Sequence, residues 1–116
     1  MSLKGKVAVV TGAGGTLCSK IAIELAKCGV KVALVELTED RLDVVSAKIK
    51  EIGGVFHGYA CDVTNEEMVA QLADKVEKDL GLCNYLVNGA GGNNPKGNTT
   101  KEYLSVRKIS TTLLKE

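Results

Sequence analysis

The sequence predicts an α/β chain: a partial doubly wound parallel sheet of about four strands with flanking helices. Three observations point there. Short apolar runs alternate with longer stretches whose apolar residues recur at helical spacing, in the order strand–helix–strand–helix–strand–helix–strand. The first run, Lys6-Val7-Ala8-Val9-Val10, is nearly all apolar and β-branched, as in a strand buried on both faces. Glycine supplies 13 of 116 residues while aromatics make up 3% and Trp is absent, a balance better suited to an α/β architecture than to a β-sandwich.

The elements follow in order. After the first strand, Gly12, Gly14 and Gly15 break the chain, and Leu17, Ile21, Leu25 and Cys28 recur at helical spacing with Ala22 and Ala26 beside them. Gly29 stands where a helix C′ residue is expected. Lys31 to Glu36 is the second strand. Thr38 is placed to cap a second helix with the stripe Leu42, Val45, Ile49 and Ile52, ended by Gly53-Gly54. Val55 to Cys61 is a third strand. Thr64-Asn65-Glu66-Glu67 reads as a capping box, with Thr64 as the cap and Glu67 reaching back. Met68, Leu72, Val76 and Leu80 form the stripe of the third helix, and Gly81 stops it. Asn84 to Asn88 is a short fourth strand. A Gly- and Asn-rich loop runs from Gly89 to about Thr100, and Val106, Ile109 and Leu113 suggest a last helix within Lys101 to Glu116. Helical crossovers require parallel pairing, and their right-handedness puts helices on both faces, so the expected sheet is open and Rossmann-type.

Charge and cysteine usage narrow the function classes. Fifteen Lys and Arg against 14 Asp and Glu leave +1, which argues against a nucleic-acid or anionic-membrane surface. No apolar run approaches the ~20 residues that span a bilayer. Cys18, Cys28, Cys61 and Cys83 form no Cys-x-x-Cys pair, and His57 is the single histidine, so no metal site is expected. Reduced thiols and a cytoplasmic location are the expectation. The chain reads as one domain, residues 1–116.

The chemistry-bearing residues gather at the carboxyl ends of the strands. The first strand–helix turn is Thr11-Gly12-Ala13-Gly14-Gly15-Thr16-Leu17. Amides opening the following helix lack intrahelical partners, the helix dipole favours an anion there, and glycine lets a pyrophosphate approach the backbone. Glycine turns after strands are common without any ligand, so the turn alone is even evidence. Glu36 closes the second strand 24 residues after Gly12, where an acid can accept from a ribose hydroxyl and repel a 2′-phosphate. Residue 37 is Leu, so no Arg follows at once, and NAD is favoured over NADP. Asp62 and Val63 follow the third strand, suited to an adenine amino group and ring; the alternative is that Asp62 serves only the turn before Thr64. Asn88, Gly89, Ala90 and Gly91 follow the fourth strand. Strands one and four flank the expected topological switch point, where ligands of open sheets bind.

Thr11-Gly12 with Leu17, Glu36, Asp62-Val63 and Asn88-Gly89-Ala90-Gly91 resemble the short-chain dehydrogenase/reductase superfamily over residues 5 to about 97. The resemblance implies a nicotinamide dinucleotide held by those residues. Thr16 and Cys18 depart from it, standing where the family's Thr-Gly-x-x-x-Gly-x-Gly has glycine, and are expected to crowd the pyrophosphate and the helix–strand contact. Gly14-Gly15-Thr16-Leu17-Cys18 and Asn88 to Pro95 are similar to a sub-branch described as fructuronate reductases or D-mannonate oxidoreductases, which implies reversible hydride transfer between NAD and a sugar-acid carbonyl. The family's catalytic Tyr-x-x-x-Lys has one look-alike, Tyr103-Leu104-Ser105-Val106-Arg107, too soon after the fourth strand to serve. The chain thus matches the N-terminal half of family members and is expected to be inactive alone, with the fourth-strand edge available for self-association. The other readings are a non-catalytic nucleotide-binding module, an α/β domain without a ligand, and a methyltransferase-like domain, whose usual acid before the glycines is here Thr11.

Overall fold

The computed structural model describes residues 3–89. Four strands, β1 (Val7–Thr11), β2 (Lys31–Glu36), β3 (Phe56–Ala60) and β4 (Tyr85–Asn88), pair in parallel in the order β3-β2-β1-β4. Three α-helices supply the crossovers: α1 (Thr16–Lys27), α2 (Asp43–Glu51) and α3 (Glu66–Asp79). A 3₁₀ turn over Glu39–Leu42 leads into α2.

The unbroken apolar runs of β1 and β2 are explained by two cores. Successive side chains of a strand point to opposite faces. Val7, Val9, Ala33 and Val35 face α3 and pack with Val69, Leu72, Ala73 and Val76. Ala8, Val10, Val32 and Leu34 face the other way and pack with Ala22 of α1 and Val45 and Ile49 of α2. Each buried Val or Leu contributes roughly 1.5–3 kcal/mol relative to exposure. A one-residue slip of either strand would exchange the two faces.

The helices depart from the expected stripes in ways that packing explains. In α1 the buried residues are Ala22 and Ala26, while Leu17 is 69% exposed and Cys28 is also exposed. Small side chains let the helix axis approach the sheet, so Ala22 and Ala26 take the contact line, with Cys18, Ile23 and Leu25 packed partly buried beside it. In α2, Leu42, Val45 and Ile49 are buried as expected, but Ile52 sits at the C-cap and is exposed. Thr38 occupies the cap position of the 3₁₀ turn and makes no side-chain capping bond. In α3 the contact line is Val69, Leu72, Ala73 and Val76; Met68 lies at its margin.

The α3 cap is Asn65 rather than Thr64: its Oδ1 accepts from the Met68 amide at 3.1 Å. Thr64 is committed elsewhere, since its N–H and hydroxyl both donate to Asp62 Oδ1, at 2.9 and 2.6 Å. Two donors on one carboxylate oxygen fix an Asx-type turn and move the helix start one residue on. Gly29, Gly53 and Gly81, all with positive φ, follow the three helices as expected. β4 begins at Tyr85, one residue later than expected, yet Asn84 already ties it to β1: its N–H donates to Val7 O at 2.8 Å, and its Oδ1 accepts from Val7 N at 2.9 Å. The expected helix within 101–116 lies outside the described residues.

Candidate functional site: the mouth of the first strand–helix turn

β1 delivers Gly12 to the carboxyl edge of the sheet with φ +65°, a left-handed conformation that reverses the chain without a side-chain penalty. The turn closes through Gly15 N–H donating to Gly12 O at 3.0 Å, while Ala13 N–H reaches across to Val35 O at 3.1 Å. α1 starts immediately after. Its N-cap, Gly15, offers no side chain, and its first turn carries no acidic residue. The opening amides, Thr16, Leu17 and Cys18, are therefore directed out of the helix end with no side-chain acceptor of the cap supplied to them, the local chemistry of an anion site.

Glu36 lies at the end of β2 with its side chain 10% exposed. It points into the turn: Oε2 accepts from the Gly14 amide at 2.9 Å, and Oε1 accepts from the Leu37 amide at 3.2 Å. The Arg41 guanidinium stands 3.8 Å from Oε1. A β-carbon on Gly14 would run into Arg41 O and press on Glu36 Oε2, so glycine is needed for the 3₁₀ turn and the carboxylate to close over this segment. Arg41 is the residue that sequence adjacency missed. The 3₁₀ turn folds it back on Glu36 from five positions away, and the only signal was that it is the single cation between Glu36 and Asp43.

Gly12, Glu36, Asp62 and Val63 line one cavity of about 170 Å³, together with Val35, Leu37, Cys61 and Thr64. The structure thus brings four predicted residues from three strand ends around one space. Asp62 Oδ1 is engaged by Thr64, so the turn role weighed for Asp62 is present. Gly14, Gly15, Thr16 and Leu17 do not line this cavity; Gly14 meets Glu36 through its amide, and Thr16 and Leu17 are exposed. Asn88 and Gly89 close the far side against β1. Thr11 Oγ1 donates to Asn88 Oδ1 at 2.6 Å, and Gly89 N–H donates to Thr11 O at 3.1 Å. Ala90, Gly91 and the Tyr103–Arg107 look-alike lie outside the described residues.

Cys18 is partly buried against Gly89, where a β-carbon on Gly89 would collide with its Sγ. The thiol fills helix–strand space, which is the crowding expected of it, and it relies on Gly89 for room. Burial, and then the nearby Glu36 charge, raise its pKa above the ordinary thiol value. It is therefore a poor thiolate. Burial likewise raises Cys61, with the Asp62 charge adding and Lys75 opposing, and raises Cys83 against two backbone hydrogen bonds.

Two larger clefts, of about 350 and 440 Å³, run along the outer side of β3 and contain none of the predicted residues. Neither adjoins the first helix turn, and size does not supply the donors an anion needs. Among the described residues no group of His, Cys, Asp and Glu could hold a metal ion, and no helix is long and apolar enough to cross a membrane.

Known proteins share the fold of this chain. The family model described as short chain dehydrogenase matches residues 6–113. An "Uncharacterized oxidoreductase" of Haemophilus influenzae is 39% identical over 102 residues, covering 88% of this chain and 36% of that protein. A solved "putative D-Mannonate oxidoreductase from Haemophilus influenza" with bound NAD superposes with a TM-score of 0.82 at 30% identity, covering 98% of this chain and 51% of that one. A metagenomic short-chain oxidoreductase in complex with NADP superposes with a TM-score of 0.76 at 32% identity, covering 99% of this chain and 56% of that one. The chain therefore spans between about a third and somewhat over half of the length of these proteins. It belongs to the short chain dehydrogenase family, and its four-stranded parallel sheet with flanking helices is that family's oxidoreductase fold.

Proposed function

We propose that this short chain dehydrogenase chain, residues 1–116, works as a single dinucleotide-binding domain that prefers NAD. The observation that carries the reading is the placement of Glu36: its carboxylate meets the Gly14 amide at 2.9 Å and shares a cavity with Gly12, Asp62 and Val63. An acid with that reach suits the hydroxyls of an adenosine ribose. The residues fit the group on the structure's own terms. Gly12, Gly14 and Gly15 keep side chains off the turn, Thr16 and Leu17 open α1 with unpartnered amides for a pyrophosphate, and Asp62 and Val63 border the space an adenine would fill. Asn88, Gly89, Ala90 and Gly91 are proposed for the nicotinamide side. Bound there, a nicotinamide dinucleotide supplies hydride chemistry, and the chain's own work is to hold and orient it.

The substrate class proposed is a small carbonyl/alcohol pair, a sugar acid of the fructuronate or mannonate kind. Its support is the H. influenzae structure described as a D-mannonate oxidoreductase and the Gly14–Cys18 and Asn88–Pro95 strings. The 116 residues include no Tyr-x-x-x-Lys pair, so turnover by this chain alone is not expected. A tyrosine at its ordinary pKa of about 10 is a poor base at neutral pH without a cationic partner.

The test is a fluorescence titration of the chain with NADH and NADPH, repeated with Glu36→Ala. NADH is expected to bind more tightly than NADPH. The substitution should weaken NADH about ten-fold, the loss of a hydrogen bond to a charged acceptor, and shrink the preference. An unchanged preference removes the ribose role of Glu36. Tighter binding of S-adenosylmethionine than of NADH would favour the methyltransferase-like reading instead.

A further inference from the structure

We propose that the open edge of β3 is a docking surface for a second copy of this chain, the two β3 strands pairing antiparallel about Gly58 so that one sheet runs through both protomers. Among the described residues β3 is an end strand of the sheet. Its bonds to β2 engage alternate residues: Val55 O accepts from Val32 N–H at 3.0 Å, and Cys61 N–H donates to Glu36 O at 2.8 Å. By that alternation the amides and carbonyls of Phe56, Gly58 and Ala60 face away from β2. The strand reads Phe-His-Gly-Tyr-Ala and carries no Lys, Arg, Asp, Glu or Pro, the residues that commonly guard an exposed edge. His57 Nδ1 lies 3.1 Å from Gly58 O. A carbonyl has two lone pairs, which leaves room for a second donor.

The edge is self-complementary in this register. With Gly58 opposite the partner's Gly58, Phe56 falls opposite the partner's Ala60 and His57 opposite the partner's Tyr59. Phe56, Gly58 and Ala60 then all occupy hydrogen-bonded pairs, each exchanging both bonds with its opposite residue. The bulky Phe56 faces a small residue, and the two glycines leave space at the axis. On the other face the stacked His57 and Tyr59 rings, with centroids 4.6 Å apart, come beside their symmetry mates. The flanks match under the same two-fold, which runs normal to the sheet and brings α2 antiparallel to the partner's α2. Asp43, Ser46 and Lys50 stand at i, i+3 and i+7 of α2, and with Phe56 and Gly58 they border the cleft of about 440 Å³ beside β3. Asp43 and Lys50 are exposed. Antiparallel approach sets Asp43 against the partner's Lys50 and Lys50 against the partner's Asp43, with the small Ser46 at the crossing. A parallel approach would set like charges together. On the opposite face Lys75 and Asp79, one turn of α3 apart, border the cleft of about 350 Å³ with the same alternation of sign. A second copy is therefore the occupant whose backbone groups and charges both answer those of this edge.

The test is sedimentation equilibrium of the full chain from micromolar to millimolar concentration, with circular dichroism to establish that each variant is folded. The wild type should form a dimer. Lys50→Glu should weaken it about ten-fold, because symmetry replaces two exposed ion pairs by two repulsions. Asp43→Lys with Lys50→Glu, which restores opposite signs, should recover the affinity to within about three-fold. Ala60→Pro removes an outward amide without touching the β2 ladder and should abolish the dimer. Amide exchange in the wild type should slow at Phe56, Gly58 and Ala60 as protein concentration rises. A chain that stays monomeric at every concentration leaves this edge to some other partner and overturns the inference. So does a dimer indifferent to both Ala60→Pro and Lys50→Glu, as association through the β4 edge would be, and so does a folded double variant that recovers nothing.

Discussion

At Tyr59, burial comes first and the hydrogen bond and charge of Asp79 follow, and all three favour the protonated phenol and raise its pKa above the ordinary value. The hydroxyl donates to Asp79 Oδ2 at 2.9 Å, and His57 stacks on the ring at 4.6 Å. The sign of the linkage is set by the folded state holding the proton more tightly. The stabilisation is fully present below the unfolded pKa of about 10 and is lost as pH rises beyond it. Tyr59→Phe should therefore be less stable than wild type at pH 8, by about 1 kcal/mol for the lost hydrogen bond, and the gap should narrow by pH 11. Thermal melts of both proteins at the two pH values check this. A gap of equal size at both would mean that the phenol ionises alike in the folded and unfolded chain. Raised Cys61 and Cys83 thiols bias the same way but are common to both proteins. The position of Glu36 was legible in the sequence, because the apolar run of β2 ends on it, level with the glycine turn. Arg41 was not, because its approach depends on how the 3₁₀ turn folds back.

The start of α3 shows how element boundaries are decided by competition among local acceptors. The capping-box pattern points to Thr64, one residue before the cap that the structure uses. Asp62 decides against it by drawing both Thr64 donors onto one oxygen. Asn65→Ala should then destabilise the chain by about 1 kcal/mol through the exposed Met68 amide. Chemical denaturation checks it: Thr64→Ala should leave the cap in place and Glu67→Ala should cost only a few tenths of a kcal/mol, as surface substitutions do. A Glu67→Ala loss as large as that of Asn65→Ala would restore the box. The α1 stripe is only partly buried for a related reason. Periodicity finds large apolar residues, whereas a helix laid close on a parallel sheet buries its small ones, here Ala22 and Ala26.

On the scale of the molecule, element order and parallel pairing were legible because they follow from few constraints. Three helical crossovers leave parallel pairing as the economical solution, and β1 and β2 announce their central places by lacking polar alternation. The β3-β2-β1-β4 order then sets β1 and β4 side by side, so Thr11 and Asn88 meet although 77 positions apart. What one strand's pattern does not disclose is which side chains share a cavity; Gly12, Glu36, Asp62 and Val63 come together only once three strand ends are level. In the proposed site, α1's opening amides receive a dinucleotide's phosphates while Glu36 holds its ribose. The most direct check is to titrate the 15N-labelled chain with NAD and follow backbone amide shifts. The amides of Gly14, Gly15, Thr16 and Leu17, with those beside Glu36 and Asp62, should move together along one saturating curve. Shifts confined to the outer cleft of β3, around His57 and Lys75, or no shifts at all at millimolar NAD, would contradict it.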